Sequence, residues 1–538
     1  MALNDQQLQA INSNRRLILC LAGAGAGKTS CLTRRVARLV KDGVNPRSIL
    51  ALTFTNAAAF EMGQRYRTLD GVDPTQTMPE FRTFHSFCYS LIIKDKELRE
   101  RLGYSKVPEI CDDKYMESLK KEVKTITKCS LSDAQLNDAK SKLTPQEKFE
   151  KEVYLKAVRN KIREDNVITF DMLCYNVCEL FVKKDEVADK YKKRYSHLLV
   201  DEWQDTDPRQ FRFISSFPET TNIFCCGDAL QSIYQFRGCS NEFIKMQAAS
   251  EDWEVIKLFE NYRSTTQICD FANKFSAKYA KPSYRIEMHG QREGDNVEVI
   301  RGSVTSVDQP VCIDHLRRLV QKLNNHPVQS AVLCRSNKEV DEVCRFLDKN
   351  DIIYVRGHKS SEAAAMLRSV NSDEYMIQWL SNSFLDAKHY GDFVRLGALE
   401  DTLTVPWFLS KWGTNSKISS HSKRIFEIRT ILADTELSVE QKYNKVTRML
   451  SIKSLPDMDF TQEFNPEVFV QCLIDQLNAL EESKIYVGTI HSSKGLEYDA
   501  VYLMGVDDFM FQLGTEDMNN LFYVGITRAK NRLVIFNR

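Results

Sequence analysis

An α/β architecture of two parallel-sheet lobes, each interrupted by a helical insertion, is predicted by three features of this chain. Short apolar runs recur along the chain and read as central strands of parallel sheets. A glycine-rich loop joins the first of these runs to a helix. Two long, charge-rich helical stretches then break the strand–helix alternation.

The first apolar run, Leu17–Leu21, reads as a buried parallel strand. It leads into Ala22-Gly23-Ala24-Gly25-Ala26-Gly27-Lys28-Thr29 and then a helix-like stretch from Cys31 to Val40. Strand, glycine loop, Lys-Thr and helix together predict a phosphate-binding loop. Glycines let backbone N–H groups converge on phosphate oxygens, Lys28 neutralises the β- and γ-phosphates, and the Thr29 hydroxyl ligates Mg2+. The strict pattern is missed at its first position, where Ala22 replaces glycine. A nucleoside triphosphate, ATP, is the first ligand expected, and a mere flexible Gly/Ala turn is the competing reading. Ile49–Phe54, Leu198–Val200 and Asn222–Cys226 are further central strands of the same sheet. From Leu91 to Arg194 the pattern is helical and rich in charge. Its Lys120-Lys121, Lys183-Lys184 and Lys192-Lys193-Arg194 clusters read as solvated helix faces among many acids.

A second α/β set is expected to begin near Val255. Its strand candidates are Val297–Arg301, Ala331–Cys334, Ile352–Val355, Ile485–Thr489, Ala500–Met504 and Arg532–Phe536. A second helical insertion separates Gly357 from Lys484, with linkers at Gly413-Thr414-Asn415-Ser416 and Ser454-Leu455-Pro456-Asp457. The expected division is residues 1–90 and 195–252 for the first lobe, 91–194 for its insertion, 253–357 and 485–538 for the second lobe, and 358–484 for a reduced insertion.

Bulk composition narrows the function classes. The 538 residues are 43% hydrophobic and 27% charged, ordinary for a globular chain of several domains. A net charge of +1 argues neither for nor against nucleic acid, because a locally basic face is averaged out. Fifteen scattered cysteines lack a Cys-x-x-Cys pair and read as reduced, buried, small side chains, including Cys174 and Cys178 four apart on a predicted helix. The polar start and the lack of a membrane-length apolar run predict a cytoplasmic protein with no membrane partner.

Catalysis is expected at Val200-Asp201-Glu202-Trp203-Gln204-Asp205. An Asp-Glu pair at a strand end divides the labour, with Asp201 holding Mg2+ and Glu202 orienting or deprotonating the attacking water. Arg263 and Arg528 are candidates to stabilise transition-state charge on the γ-phosphate. Either could equally be a structural ion-pair partner.

These segments, in this order, resemble the UvrD/Rep/PcrA family of superfamily 1 DNA helicases, whose lobes are RecA-like. Leu3-Asn4-Asp5-Gln6-Gln7 resembles the adenine-reading motif, with Gln7 as reader. Thr53-Phe54-Thr55-Asn56 and Thr83-Phe84-His85-Ser86 resemble strand-contacting motifs. Asp201-Glu202-Trp203-Gln204-Asp205-Thr206 resembles the magnesium motif. Gly227 to Gly238 resembles the motif joining ATP to DNA, and His491-Ser492-Ser493-Lys494-Gly495-Leu496-Glu497 precedes the Arg528 segment. The resemblance implies that Gln231 senses the γ-phosphate, Tyr262 stacks on adenine and Glu497 contacts the sugar side. It also implies that Phe54, Asn56, His85, Tyr234, Phe236 and His491 line a single-strand path. Aromatic faces stack on any base, which suits a motor indifferent to sequence.

The resemblance further implies 3′–5′ movement on single-stranded DNA, action at duplex junctions, and ATP hydrolysis coupled to lobe closure. Ala57 departs from the family's usual lysine, Ser30 from its frequent arginine, and the second insertion is short. That compact form resembles Gabija-type defence helicase subunits or compact phage helicases. An ATP-switched DNA sensor controlling a protein partner, such as a nuclease in antiviral defence, is the alternative. A fused C-terminal nuclease is not expected in the ten residues after Arg528, and a small-molecule kinase leaves the second-lobe motifs unexplained.

Overall fold

The computed structural model describes residues 3–72, 77–111, 113–137, 143–183, 185–235, 238–301, 312–325, 328–356, 366–385, 404–450, 465–481, 485–506 and 514–537. The chain forms two units. One comprises Met1–Arg263 and Asn273–Gln291, and the other Ser264–Ala272 and Arg292–Arg538.

The first unit is built on a six-stranded sheet, in the order Glu80–Thr83, Ile49–Thr53, His197–Val200, Asn222–Gly227, Leu17–Ala22 and Glu254–Leu258. Every pairing is parallel. Parallel strands covered on both faces need apolar residues throughout, and Ile18 to Ala22 and Ile49 to Leu52 are all buried. Helices Asp5–Asn12 and Lys28–Lys41 pack on this sheet through Ala10, Ile11, Leu32, Val36 and Leu39.

Strand Glu254–Leu258 corrects the expectation that a second set begins near Val255. It hydrogen-bonds to Leu17–Ala22 and closes the edge of the first sheet. An edge strand's sequence carries no mark of the sheet it joins, so only the pairing assigns it. Glu80–Thr83, at the opposite edge, was not among the expected strands. Its half-exposed Glu-Phe-Arg run shows no continuous apolar stretch.

Among the described residues of the first insertion, helices Asp113–Ile126 and Pro145–Glu164 share a core containing Met116, Leu119, Val123, Tyr154, Val158 and Ile162. Lys120, Lys121 and Lys193 are exposed as expected, and Lys184 lies outside the described residues. Lys192 differs from a solvated lysine: it is buried and its Nζ lies 2.7 Å from Asp189.

The second unit carries its own six-stranded parallel sheet. The order is Glu298–Arg301, Ala529–Asn537, Tyr498–Val506, Ser330–Cys334, Ile485–Thr489 and Val355–Arg356. The last strand begins at the end of the expected Ile352–Val355, because Ile353 is exposed and unsuited to a sheet interior. Helices Asp373–Phe384, Val405–Trp412, Ser416–Ala433, Val439–Met449 and Pro466–Glu481 form the described part of the second insertion, around Leu380, Phe408, Ile425, Val446 and Leu473. The Gly413–Ser416 linker is a helix–helix turn: Gly413 ends one helix and the Asn415 side chain caps the next. The Ser454–Asp457 linker lies outside the described residues. Among the described residues, no helix is long and apolar enough to cross a membrane.

Candidate active site

The glycine loop follows strand Leu17–Ala22 and ends at helix Lys28–Lys41. Ala22 still lies in the strand, paired with Leu258, so its Cβ is accommodated where the strict pattern has glycine. Gly25 needs to be glycine. Its φ is +71°, and a Cβ there would lie 2.6 Å from the Arg263 Cβ and 2.9 Å from Asn261 Oδ1.

Three loop carbonyls are tied back by other segments. Asn261 Nδ2 donates to Ala24 O at 2.8 Å, the Tyr262 N–H to Gly25 O at 3.1 Å, and Gln7 Nε2 to Ala26 O at 3.1 Å. The N–H of a trans peptide points opposite its carbonyl, so the amides of Gly25 and Gly27 are turned away from these anchors. Gln7 is buried and also takes part in the capping box of its helix with Asn4. Asn4 Nδ2 in turn donates to the Tyr262 hydroxyl at 2.9 Å. Gln7, the loop, Tyr262 and Arg263 therefore lie together in the first unit. The sequence division at residue 253 assigns Arg263 to the second lobe, and the structure places it in the first unit. Its N–H donates to Asn261 Oδ1 at 2.8 Å, within the segment that follows the edge strand.

An acidic centre faces the loop's lysine. Thr29 Oγ1 donates to Asp201 Oδ2 at 3.0 Å, and the other Asp201 oxygen accepts from Cys226 Sγ at 3.0 Å. Gln231 Nε2 donates to Asp228 Oδ2 at 2.8 Å, and the Leu230 N–H to Asp228 Oδ1 at 3.0 Å. Gln204 bridges the two acids: its Nε2 donates to Glu202 Oε2 at 2.5 Å and its Oε1 accepts from the Asp228 N–H at 3.1 Å.

Desolvation works against the Lys28 charge. The attraction of Glu202, Asp228 and Asp201 outweighs it and holds the ammonium pKa above its ordinary value. Asp201 is pushed up by burial and then by the neighbouring Glu202. Burial raises Asp228 as well, against the opposing pull of Lys28. Glu202 adopts left-handed backbone angles, φ 52° and ψ 43°, immediately after its strand. Such a conformation costs a non-glycine residue about 1–3 kcal/mol and is held by its surroundings. The Thr29 hydroxyl and the Asp201 carboxylate are hard oxygen donors and fit Mg2+.

The strand-contact candidates fall in several places. The Phe54 and Tyr234 rings stack at 5.8 Å between centroids with planes 6° apart, both half-buried in the first unit. His85 lies in the first turn of helix Phe84–Lys94, whose Thr83–Ser86 capping box fixes its start, and the His85 Nε2 lies 3.8 Å from Asp171. Asn56 begins helix Asn56–Arg67, but its side chain lies outside the described set, as do all of Phe236 and the side chain of Ala57. His491, Glu497 and Arg528 belong to the second unit. His491 starts a short 3-10 turn, and exposed Glu497 pairs with Lys530 at 3.1 Å. Arg528 is buried and donates to Val524 O at 3.0 Å, Leu496 O at 3.2 Å and Thr527 Oγ1 at 3.0 Å.

Asp228, Gln204 and Asn261 were not singled out as site residues. Asp228 had a readable signal, being the acid directly after a strand that neighbours the loop's own strand. Asn261 and Gln204 act through backbone and amide contacts that no spacing rule announces.

Comparison with known proteins gives the same family along the chain. The UvrD/REP helicase N-terminal domain matches residues 3–252, and the UvrD-like helicase C-terminal domain matches 256–359 and 410–537. The chain is similar to the ATP-dependent DNA helicase PcrA of Leuconostoc citreum and to that of Bacillus subtilis. Each is 26% identical over 99% of this chain and 82% of the relative. It is likewise 26% identical to a probable DNA helicase II homolog of Mycoplasma genitalium, over 99% of this chain and 84% of that protein. The stretch between residues 359 and 410, unmatched by the C-terminal domain, falls in the second insertion.

Proposed function

The chain belongs to the UvrD/REP helicase family, and from that premise we propose that it moves 3′ to 5′ on single-stranded DNA by hydrolysing ATP. The carrying observation is the grouping of Lys28 with Asp201, Glu202 and Asp228, with Thr29 bonded to Asp201 beside a glycine loop. On this reading Thr29 and Asp201 hold Mg2+, which supplies charge neutralisation to the phosphates when bound. Lys28 binds the β- and γ-phosphates, Glu202 takes the proton of the attacking water, and Gln231, tied to Asp228, senses the γ-phosphate. Gln7 and Tyr262 bound the adenine pocket, and Glu497 serves the sugar side. Arg263 and Arg528 supply positive charge as hydrolysis is coupled to lobe closure. The same reading keeps two lobes with one insertion each, the first lobe now including strand Glu254–Leu258 and the segment to Arg263.

The single strand follows Phe54, Asn56, His85, Tyr234, Phe236 and His491. Phe54→Ala is expected to weaken single-stranded DNA binding by about 1–3 kcal/mol in a fluorescence anisotropy titration at fixed salt, with similar losses for strands of different sequence. A large fall in Tm with DNA affinity intact would instead make the Phe54–Tyr234 stack a packing contact.

The deciding experiment is ATP hydrolysis with and without single-stranded DNA, beside unwinding of 3′- and 5′-tailed duplexes. DNA-stimulated hydrolysis with unwinding of the 3′-tailed substrate alone is the expected outcome. Stimulation without unwinding favours a sensor that controls a partner effector. An absent DNA response overturns both.

A further inference from the structure

Three cysteines converge between the helix that carries His85 and the first insertion. Cys88 lies on helix Phe84–Lys94, while Cys174 and Cys178 lie one turn apart on helix Phe170–Val182. All three are buried, and their Sγ atoms lie within 4.8 Å of one another. Their spacing across two helices hid the grouping from the sequence, where Cys88 is far from the other two.

Buried cysteines usually behave as small apolar side chains. Cys225 fits that description, since burial raises its thiol well above its ordinary value. The trio differs. Its thiols hydrogen-bond one another, each to the other two, rather than sitting among apolar neighbours alone. The cluster is thus a polar pocket of sulfur in which three ligand atoms are already gathered.

We propose that Cys88, Cys174 and Cys178 form a three-thiolate site for one Zn2+ ion. Tetrahedral zinc with bonds of about 2.3 Å to sulfur separates its ligands by about 3.8 Å, so these sulfurs need close by no more than about 1 Å. The fourth position falls to water. On binding, each sulfur still protonated loses its proton to solvent, and three Zn–S bonds replace the thiol hydrogen bonds. The ion would tie the helix bearing Phe84, His85 and Ser86 to the first insertion. It is separate from the Thr29–Asp201 oxygen site, which prefers a harder cation.

The test uses the full chain, stripped of metal by a chelator under reducing conditions and titrated with Co2+ as a spectroscopic stand-in for Zn2+. The expected result is one equivalent bound, with a sulfur-to-cobalt charge-transfer band of three-thiolate intensity and displacement by Zn2+. Cys174→Ser and Cys88→Ser should each lose about a third or more of that band, whereas Cys472→Ser, in the second insertion, should keep it. Folded wild-type protein that shows no thiolate band overturns the proposal. A band that survives both substitutions overturns it as well. Circular dichroism on each variant separates loss of ligand from loss of fold, and the wild-type spectrum decides the question if a variant fails to fold.

Discussion

Lys28→Ala should lower the turnover of ATP by at least about 10²–10³-fold, measured as steady-state phosphate release with saturating single-stranded DNA. Lys28 is the cation that three carboxylates surround, and on the proposed reading it binds the β- and γ-phosphates. The fold should survive, because Lys28 belongs to none of the apolar clusters that hold the first sheet to its helices.

The pH dependence of stability gives a second readout. The raised Lys28 pKa stabilises the folded state below the ordinary lysine value of about 10.4, and that contribution fades as pH rises through the folded value. Asp201 and Asp228 are raised by burial, so their favourable contribution exists below about 3.9 and is lost as pH climbs through their folded values. Without Lys28 both acids shift further upward. The Tm deficit of the variant should therefore widen from the carboxylate range to neutrality. Unchanged hydrolysis would remove Lys28 from the site. A Tm deficit independent of pH would make its role packing rather than charge.

The legible parts of this fold are those where burial is two-sided. Leu17–Ala22, Ile49–Thr53 and Asn222–Gly227 announce themselves because a central parallel strand must be apolar on both faces. Edge strands escape that rule. Glu80–Thr83 is half-exposed, and Glu254–Leu258 alternates enough to pass for the start of a new sheet. The same misassignment carried Arg263 into the wrong unit, although the residue itself was singled out.

Within the candidate site, residues joined by local chain geometry were readable. Lys28 and Thr29 follow the glycines, and Asp201 and Glu202 follow a strand. What the sequence hid were contacts through backbone carbonyls, such as Asn261 to Ala24 and Gln7 to Ala26, and the convergence of Cys88 on Cys174 and Cys178. These depend on where distant segments are brought together, which composition and periodicity do not encode.

Glu202→Gln should retain nucleotide binding while slowing hydrolysis by about 10²–10⁴-fold, the contribution of a positioned general base. The substitution is nearly isosteric and leaves an amide that can still meet Gln204, so the left-handed turn after the strand should persist. It removes one negative charge from a centre where Glu202 helps push Asp201 up, so the Asp201 pKa should fall towards its ordinary range. Lys28 loses its largest attractive neighbour at the same time, and its raised pKa should relax downward. The variant is therefore expected to bind a fluorescent ATP analogue with affinity close to that of the wild type, yet release almost no phosphate in a single-turnover experiment. Full turnover would show that another group takes the proton from water. Loss of nucleotide binding along with hydrolysis would mean that Glu202 acts through the arrangement of Lys28 and Asp201, making it a positioning residue rather than a base.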